Sequence, residues 1–139
     1  MNADQLAALH GLCFTSPRPW SAAEFNDMRK QGACVDCEQT HGFIVTQTVA
    51  DEAEILTLAV DPNHRRRGIA QRLVADFLAR TSISGTKRVF LEVAKHNLAA
   101  RRLYDGCGFR NIGRRPGYYR LADGRQVDAL LFEMRIDQV

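Results

Sequence analysis

Val60-Asp61-Pro62-Asn63-His64-Arg65-Arg66-Arg67-Gly68-Ile69-Ala70 is the stretch on which the fold turns. Before it, Glu54 to Val60 reads as a strand, which Asp61-Pro62-Asn63 ends. After it, Ile69, Leu73, Val74, Phe77 and Leu78 recur at helical spacing up to about Thr81, and Gly85 breaks the chain. A strand therefore runs through a basic turn into a helix. The first N–H groups of a helix have no internal partner and carry partial positive charge, so they suit an anion such as a pyrophosphate. Gly68 and Ala70 allow close backbone approach, and Arg65, Arg66 and Arg67 attract an anion over a longer range. A plain solvated basic loop would show the same residues. No Gly-Lys-Ser/Thr follows, as a Walker A loop requires, and the glycine spacing is wrong for a dinucleotide fingerprint.

Working outward, Ala3 to Cys13 reads as a helix with Leu6, Leu9, Cys13 and His10 on one side. Phe14 to Pro19 interrupts it with two prolines. Ser21 with Glu24 forms a capping box for a second helix ending near Lys30. Val35 to Glu38 and Gly42 to Val49 read as strands. Arg88 to Val93 is a short β-rich run, and Asn97 is an N-cap for a helix ending near Gly106 and Gly108. Phe109 to Tyr119 and Gln126 to Ile136 form a hairpin about Asp123-Gly124. The order α-α-β-β-β-α-β-α-β-β implies an α/β (α+β) layer fold with a mixed sheet.

The 139 residues fit one domain spanning 1–139, with no repeat or linker. Lys and Arg total 19 and Asp and Glu 16, a balance of +3, too mild to imply nucleic acid as a partner. No aromatic stacking platform accompanies the arginines either. Uncharged stretches fall well short of the roughly 18 apolar residues a membrane span needs. The N-terminus lacks a signal-peptide layout, so a cytoplasmic location is expected. Cys34 and Cys37 form a CxxC, but no second pair or histidine spacing completes a metal set, and residues three apart on a strand face opposite sides. No metal is expected. The expected assembly is a monomer or weak dimer.

Arg65-x-x-Gly68-x-Ala70 resembles the cofactor motif of the GNAT superfamily of acetyl-CoA-dependent N-acetyltransferases. Leu58-Ala59-Val60-Asp61-Pro62, Phe90-Leu91-Glu92-Val93, Asn97-Leu98-Ala99-Ala100, Leu103-Tyr104 and Gly108-Phe109 extend the likeness. Pro19-Trp20-Ser21, Gly117-Tyr118-Tyr119 and Ala122-Asp123-Gly124-Arg125 resemble the RimI type, the bacterial ribosomal-protein-alanine N-acetyltransferases. The likeness covers about residues 18–136. It implies a mostly antiparallel central sheet, splayed at the cofactor strand, with helices on both faces. The strand that family members commonly place before the first helix is short or absent here.

The resemblance implies acetyl-CoA as cosubstrate. Leu58, Ala59 and Val60 would hold the pantetheine arm. Backbone N–H groups from Arg66 to Gln71, Ile69 among them, would hold the pyrophosphate, and Asn97 would contact the cofactor. Glu92 matches the general base and Tyr104 the general acid of a direct transfer. Trp20, Arg114, Tyr118 and Tyr119 would bind the acceptor, a protein or peptide N-terminus such as that of a ribosomal protein. Small-amine acetylation and a non-catalytic acyl-CoA-binding module are the competing readings.

The residues themselves carry part of this. Asn97, Arg101 and Tyr104 share one helix face, while Ala100, Leu103 and Cys107 form a stripe expected to face the core. A carboxylate on a partly buried strand face, as at Glu92, would have a raised pKa unless a cation pairs with it. Cys107 offers a covalent alternative, discounted because a core-facing thiol is inert.

Overall fold

The computed structural model describes residues 1–14 and 18–136. Its elements are α1 (Ala3–Cys13), α2 (Ala22–Lys30), β1 (Cys34–Glu38), β2 (Gly42–Val49), β3 (Glu52–Val60), α3 (Ile69–Ser84), β4 (Arg88–Ala94), α4 (Leu98–Gly106), β5 (Arg110–Arg120) and β6 (Gln126–Arg135). A short 3-10 turn, Pro62–His64, joins β3 to the basic loop. The expected order holds. The boundaries differ mainly by extension: β3 starts at Glu52, and α3 continues to Ser84 before Gly85 ends it at a φ of 87°. Of the interruption expected between the first two helices, Pro17 lies outside the described residues.

Local chemistry sets the helix starts. Ser21 accepts the Glu24 N–H at 3.2 Å while Glu24 accepts the Ser21 N–H at 3.0 Å, which satisfies two orphan donors at once. Asn97 Oδ1 accepts the Ala100 N–H at 3.1 Å and starts α4.

The strands form one six-stranded sheet in the order β1-β2-β3-β4-β6-β5, antiparallel except between β3 and β4. Among the described residues no strand precedes α1, and β1 is an edge strand. Cys34 and Cys37 are exposed on it as free thiols, and among the described residues no group of His, Cys, Asp and Glu could hold a metal. No helix of the described residues is long and apolar enough to cross a membrane.

Two apolar clusters cover the sheet. Leu6, Leu9 and Phe25 pack with Phe43, Val45 and Ala59 on the α1–α2 side. Leu73, Val74 and Phe77 of α3 pack with Ile44, Ile55, Leu91 and Phe132 on the other. Lying between both clusters, β2 is buried on both faces from Gly42 to Thr46, so it reads as a continuous run rather than an alternation.

The parallel pairing of β3 with β4 lasts three residues, Glu52↔Arg88 to Glu54↔Phe90. Beyond it β3 carries a bulge. Val45 faces Thr57 and Thr46 faces Ile55, which leaves Leu56 as an extra residue. A bulge bends its strand and increases the local twist, and β3 leaves β4 at this point. Arg88 pins the closed end, bonding Glu133 at 3.0 Å and Glu52 at 3.1 Å. The splay expected of the cofactor strand is thereby present.

Candidate active site

The opening between β3 and β4 continues into a cavity of about 660 Å3 that reaches the start of α3. At that end Gly68 holds a φ of 74° and Arg66 a φ of 64°. Left-handed backbone is cheap for glycine and costs an arginine about 1 kcal/mol. The first backbone bond of the helix runs from the Arg72 N–H to the Gly68 carbonyl at 3.0 Å, so the N–H groups of Ile69, Ala70 and Gln71 have no intrahelical partner. Arg72 braces the loop from outside. Its Nη1 donates to the Arg67 carbonyl at 2.8 Å and its Nε to Glu38 at 3.1 Å. A Cβ added at Gly68 would lie 3.1 Å from that Nη1. The backbone cradle and open strand edge fit a diphosphate joined to an extended arm, as in coenzyme A.

The cavity wall brings together Leu58, Ala59, Val60, Arg65, Arg66, Gly68, Ile69, Ala70, Gln71, Glu92, Asn97, Tyr104, Trp20 and Tyr119. Arg67, Arg114 and Tyr118 are not part of it. Arg67 contributes its carbonyl to Arg72 instead. Arg114 pairs with Asp128 at 3.2 Å, and the Gly117 N–H also donates to Asp128, so this arginine braces the hairpin. Tyr118 is half exposed and meets Tyr119 edge-on, with ring centroids 5.0 Å apart.

Tyr104 departs from the sequence expectation. Placed on a polar face by spacing, it is the most buried residue of α4, at 5% exposure, while Ala100, Leu103 and Cys107 are only partly buried. Its ring packs edge-on against Phe109 at 5.6 Å. Burial raises the phenol pKa, with the Cys107 charge adding to the effect, so the hydroxyl keeps its proton at physiological pH. Among the described residues that hydroxyl has no hydrogen-bond partner. Burial also raises the Cys107 thiol, which stays protonated and unreactive.

Glu92 sits on the partly buried side of β4, opposite Val89, Leu91 and Val93, as alternation implies. The cation that the sequence left conditional is present. Arg115 of β5 approaches Glu92 Oε1 at 3.0 Å. Glu54 stands on the same side of the sheet, and its pKa is raised by burial and then by the Glu92 charge, with Arg115 opposing. Burial foremost, then Glu92, also raises Tyr119.

Sequence reasoning passed over Arg115, Arg72 and the pair His10–Thr57. His10 is 2% exposed, with Nε2 2.8 Å from Thr57 Oγ1, and its Nδ1 accepts the Trp20 N–H at 2.9 Å. Helical periodicity marked His10 as inward-facing. Nothing in the sequence announced its partners, which lie 47 and 10 residues away.

A splayed sheet and a helix-start anion cradle, opening on one cavity lined by the carboxylate of Glu92 and the buried phenol of Tyr104, mark the class of acyl-CoA-dependent acyltransferases. The chain belongs to the acetyltransferase (GNAT) family, whose model matches residues 4–109, and it is an acetyl-CoA-dependent N-acetyltransferase. It is 31% identical over 122 residues to the [ribosomal protein bS18]-alanine N-acetyltransferase of Haemophilus ducreyi, covering 84% of this chain and 83% of that one. To the Escherichia coli K12 enzyme of the same name it is 36% identical over 94 residues, 68% of this chain and 63% of that one. The crystal structure of the Escherichia coli ribosomal-protein-S18-alanine N-acetyltransferase superposes with a TM-score of 0.88 at 27% identity, covering 99% and 89% of the two chains. Arabidopsis thaliana NAA60 with a bisubstrate analogue superposes at 0.81 and 26%, covering 99% and 94%.

Proposed function

We propose that this chain acetylates the N-terminal α-amine of a protein, with Glu92 as base and Tyr104 as acid, and that the acceptor is the N-terminal alanine of a small-subunit ribosomal protein. The observation that carries the reading is the placement of Glu92 and Tyr104 on one cavity continuous with the cradle at Gly68. The names of the relatives supply the acceptor. Leu58 to Val60, Arg65, Arg66, the N–H groups through Gln71 and Asn97 hold acetyl-CoA, which brings an activated thioester carbonyl.

Glu92 accepts the amine proton, and the Tyr104 hydroxyl donates its proton to the departing sulfur. Cys107 takes no part, since its thiol is protonated. Amine acidity favours an α-amine. Its pKa near 7.7–8.0 leaves roughly a tenth neutral at pH 7, against less than about 0.1% of lysine near 10.4. Trp20 and Tyr119, which line the same cavity, bind the acceptor in this reading. Mass spectrometry of Ala-initiated peptides, lysine peptides and polyamines incubated with acetyl-CoA tests the proposal. Acetylation of the α-amine is expected, and acetylation confined to polyamines or lysine refutes it.

A further inference from the structure

The hydrogen bonds of His10 run in one direction. The Trp20 N–H donates to Nδ1 at 2.9 Å, so Nδ1 carries no proton. The proton of the neutral ring is therefore on Nε2, which donates to Thr57 Oγ1 at 2.8 Å. Burial lowers the His10 pKa to about 4, which keeps the ring neutral at physiological pH. Thr57 is thus an acceptor in this pair, and its own hydroxyl hydrogen is left to donate elsewhere. Among the described residues nothing takes it, and Thr57 lines the cavity.

The position of Thr57 identifies the recipient. Leu58 and Val60 pack with Ile69 and Leu73 on the cradle side of the sheet. Thr57 bonds across the other side, to α1, and shares its stretch of wall with Trp20. Thr57 therefore faces the α1–α2 side of the cavity, the side on which Trp20 lies. An N-terminal residue carries a carbonyl oxygen on the carbon next to its amine-bearing carbon. A lysine side chain or a polyamine has no carbonyl there.

We propose that Thr57 is an acceptor-binding residue whose hydroxyl, aimed by the Trp20–His10 relay, donates to the first peptide carbonyl of the acceptor. His10 is then a positioning residue. The inference rests on the N-terminal acetyltransferase reading and adds a basis for choosing α-amines.

Steady-state kinetics with an Ala-initiated peptide tests it, alongside an analogue whose first carbonyl is replaced by methylene. Thr57→Val should raise the peptide KM roughly three- to tenfold, the worth of one neutral hydrogen bond, while Thr57→Ser stays within about twofold. The KM for acetyl-CoA should stay at its wild-type value in both. The methylene analogue should show a raised KM with wild-type enzyme, a comparison that needs no variant to fold, and Thr57→Val should raise it no further. His10→Gln placed on Thr57→Val should add nothing to the peptide KM, whereas a merely structural histidine would add its own loss. An unchanged peptide KM in Thr57→Val, an equal loss for both peptides, or a rise confined to acetyl-CoA overturns the inference and leaves the enzyme's activity standing. A wild-type protein that acetylates no α-amine removes both readings.

Discussion

Acidification from pH 7 to pH 5 should cost the fold about 2 kcal/mol through His10 alone. The ring titrates at 6.5 in the unfolded chain and at about 4 in the native one, chiefly because it is buried. Between these values the unfolded chain binds more protons, so stability rises with pH across the window. The contribution is complete above pH 6.5, shrinks as the pH falls toward 4, and does not change below that. About 1.5 pH units of the window are crossed by pH 5, at roughly 1.4 kcal/mol each. Geometry gives the same sign, because a proton on Nδ1 would face the Trp20 N–H, donor against donor, at 2.9 Å. The ring is also flanked by Phe14, Trp20, Phe25 and Phe43 and is only 2% exposed, so little solvent reaches it to relieve the charge. Thermal unfolding at both pH values, for wild type and for His10→Gln, isolates the effect, since surface carboxylates are common to both. With about 3–4 °C per kcal/mol in a chain of this size, the wild type should lose roughly 6–8 °C more than the variant. Equal losses would show that the histidine is not held neutral by burial, and the tautomer argument for Thr57 would go with it.

Tyr104→Phe should keep the thermal shift given by acetyl-CoA and lose about 100-fold or more in kcat, and unchanged turnover would remove the acid role. Gly68→Val should raise the KM for acetyl-CoA, because φ 74° suits glycine and the new Cβ meets a guanidinium already committed to Glu38 and Arg67. Gly108→Ala, with a φ of 99° and Met134 Cε at 3.0 Å from its Cβ, should lower stability by about 1–2 kcal/mol in thermal unfolding without moving either KM. Arg115→Gln removes a half-exposed ion pair worth at most about 1 kcal/mol, so Tm should fall by no more than about 4 °C while kcat/KM falls severalfold; a lower Tm at full activity would make Arg115 a brace alone.

The cradle was legible because its signal is local. A strand stop, a glycine and a helical period follow within about a dozen residues, and backbone groups do the binding. Glu92 was legible for a similar reason, since period-2 alternation around Phe90 fixes its side of the sheet. Tyr104 was misjudged by the same kind of reasoning. Spacing on α4 separates two stripes but does not say which one meets Phe109, which comes round after Gly108 turns the chain at a φ of 99°. Arg115 and Thr57 were invisible because their roles are set by strand register. Arg115 reaches Glu92 only because β6 lies between β5 and β4, with Ala129 opposite Arg115 and Leu131 opposite Glu92. Thr57 turns toward His10 only because Leu56 is an extra residue.

That extra residue also bears on whether the cleft exists before a ligand arrives. Two parallel strands left beside each other would extend their ladder, since every unpaired N–H and C=O withdrawn from water is costly. Here neither strand is free to close the gap. Pairing with β2 holds β3 along its whole length, from Glu52↔Val49 to Val60↔Gly42, and pairing with β6 holds β4 from Arg88 to Ala94. Closing the gap would break one of those outer ladders and strip Leu91 or Ile55 from the core. Arg88, bonded to both Glu52 and Glu133, keeps the vertex shut, so the strands diverge from a fixed point. The opening is therefore imposed by the outer strands and the bulge. An extended arm laid along β3 would find its hydrogen-bonding edge already formed, with the ordering that binding would otherwise require completed when the chain folded.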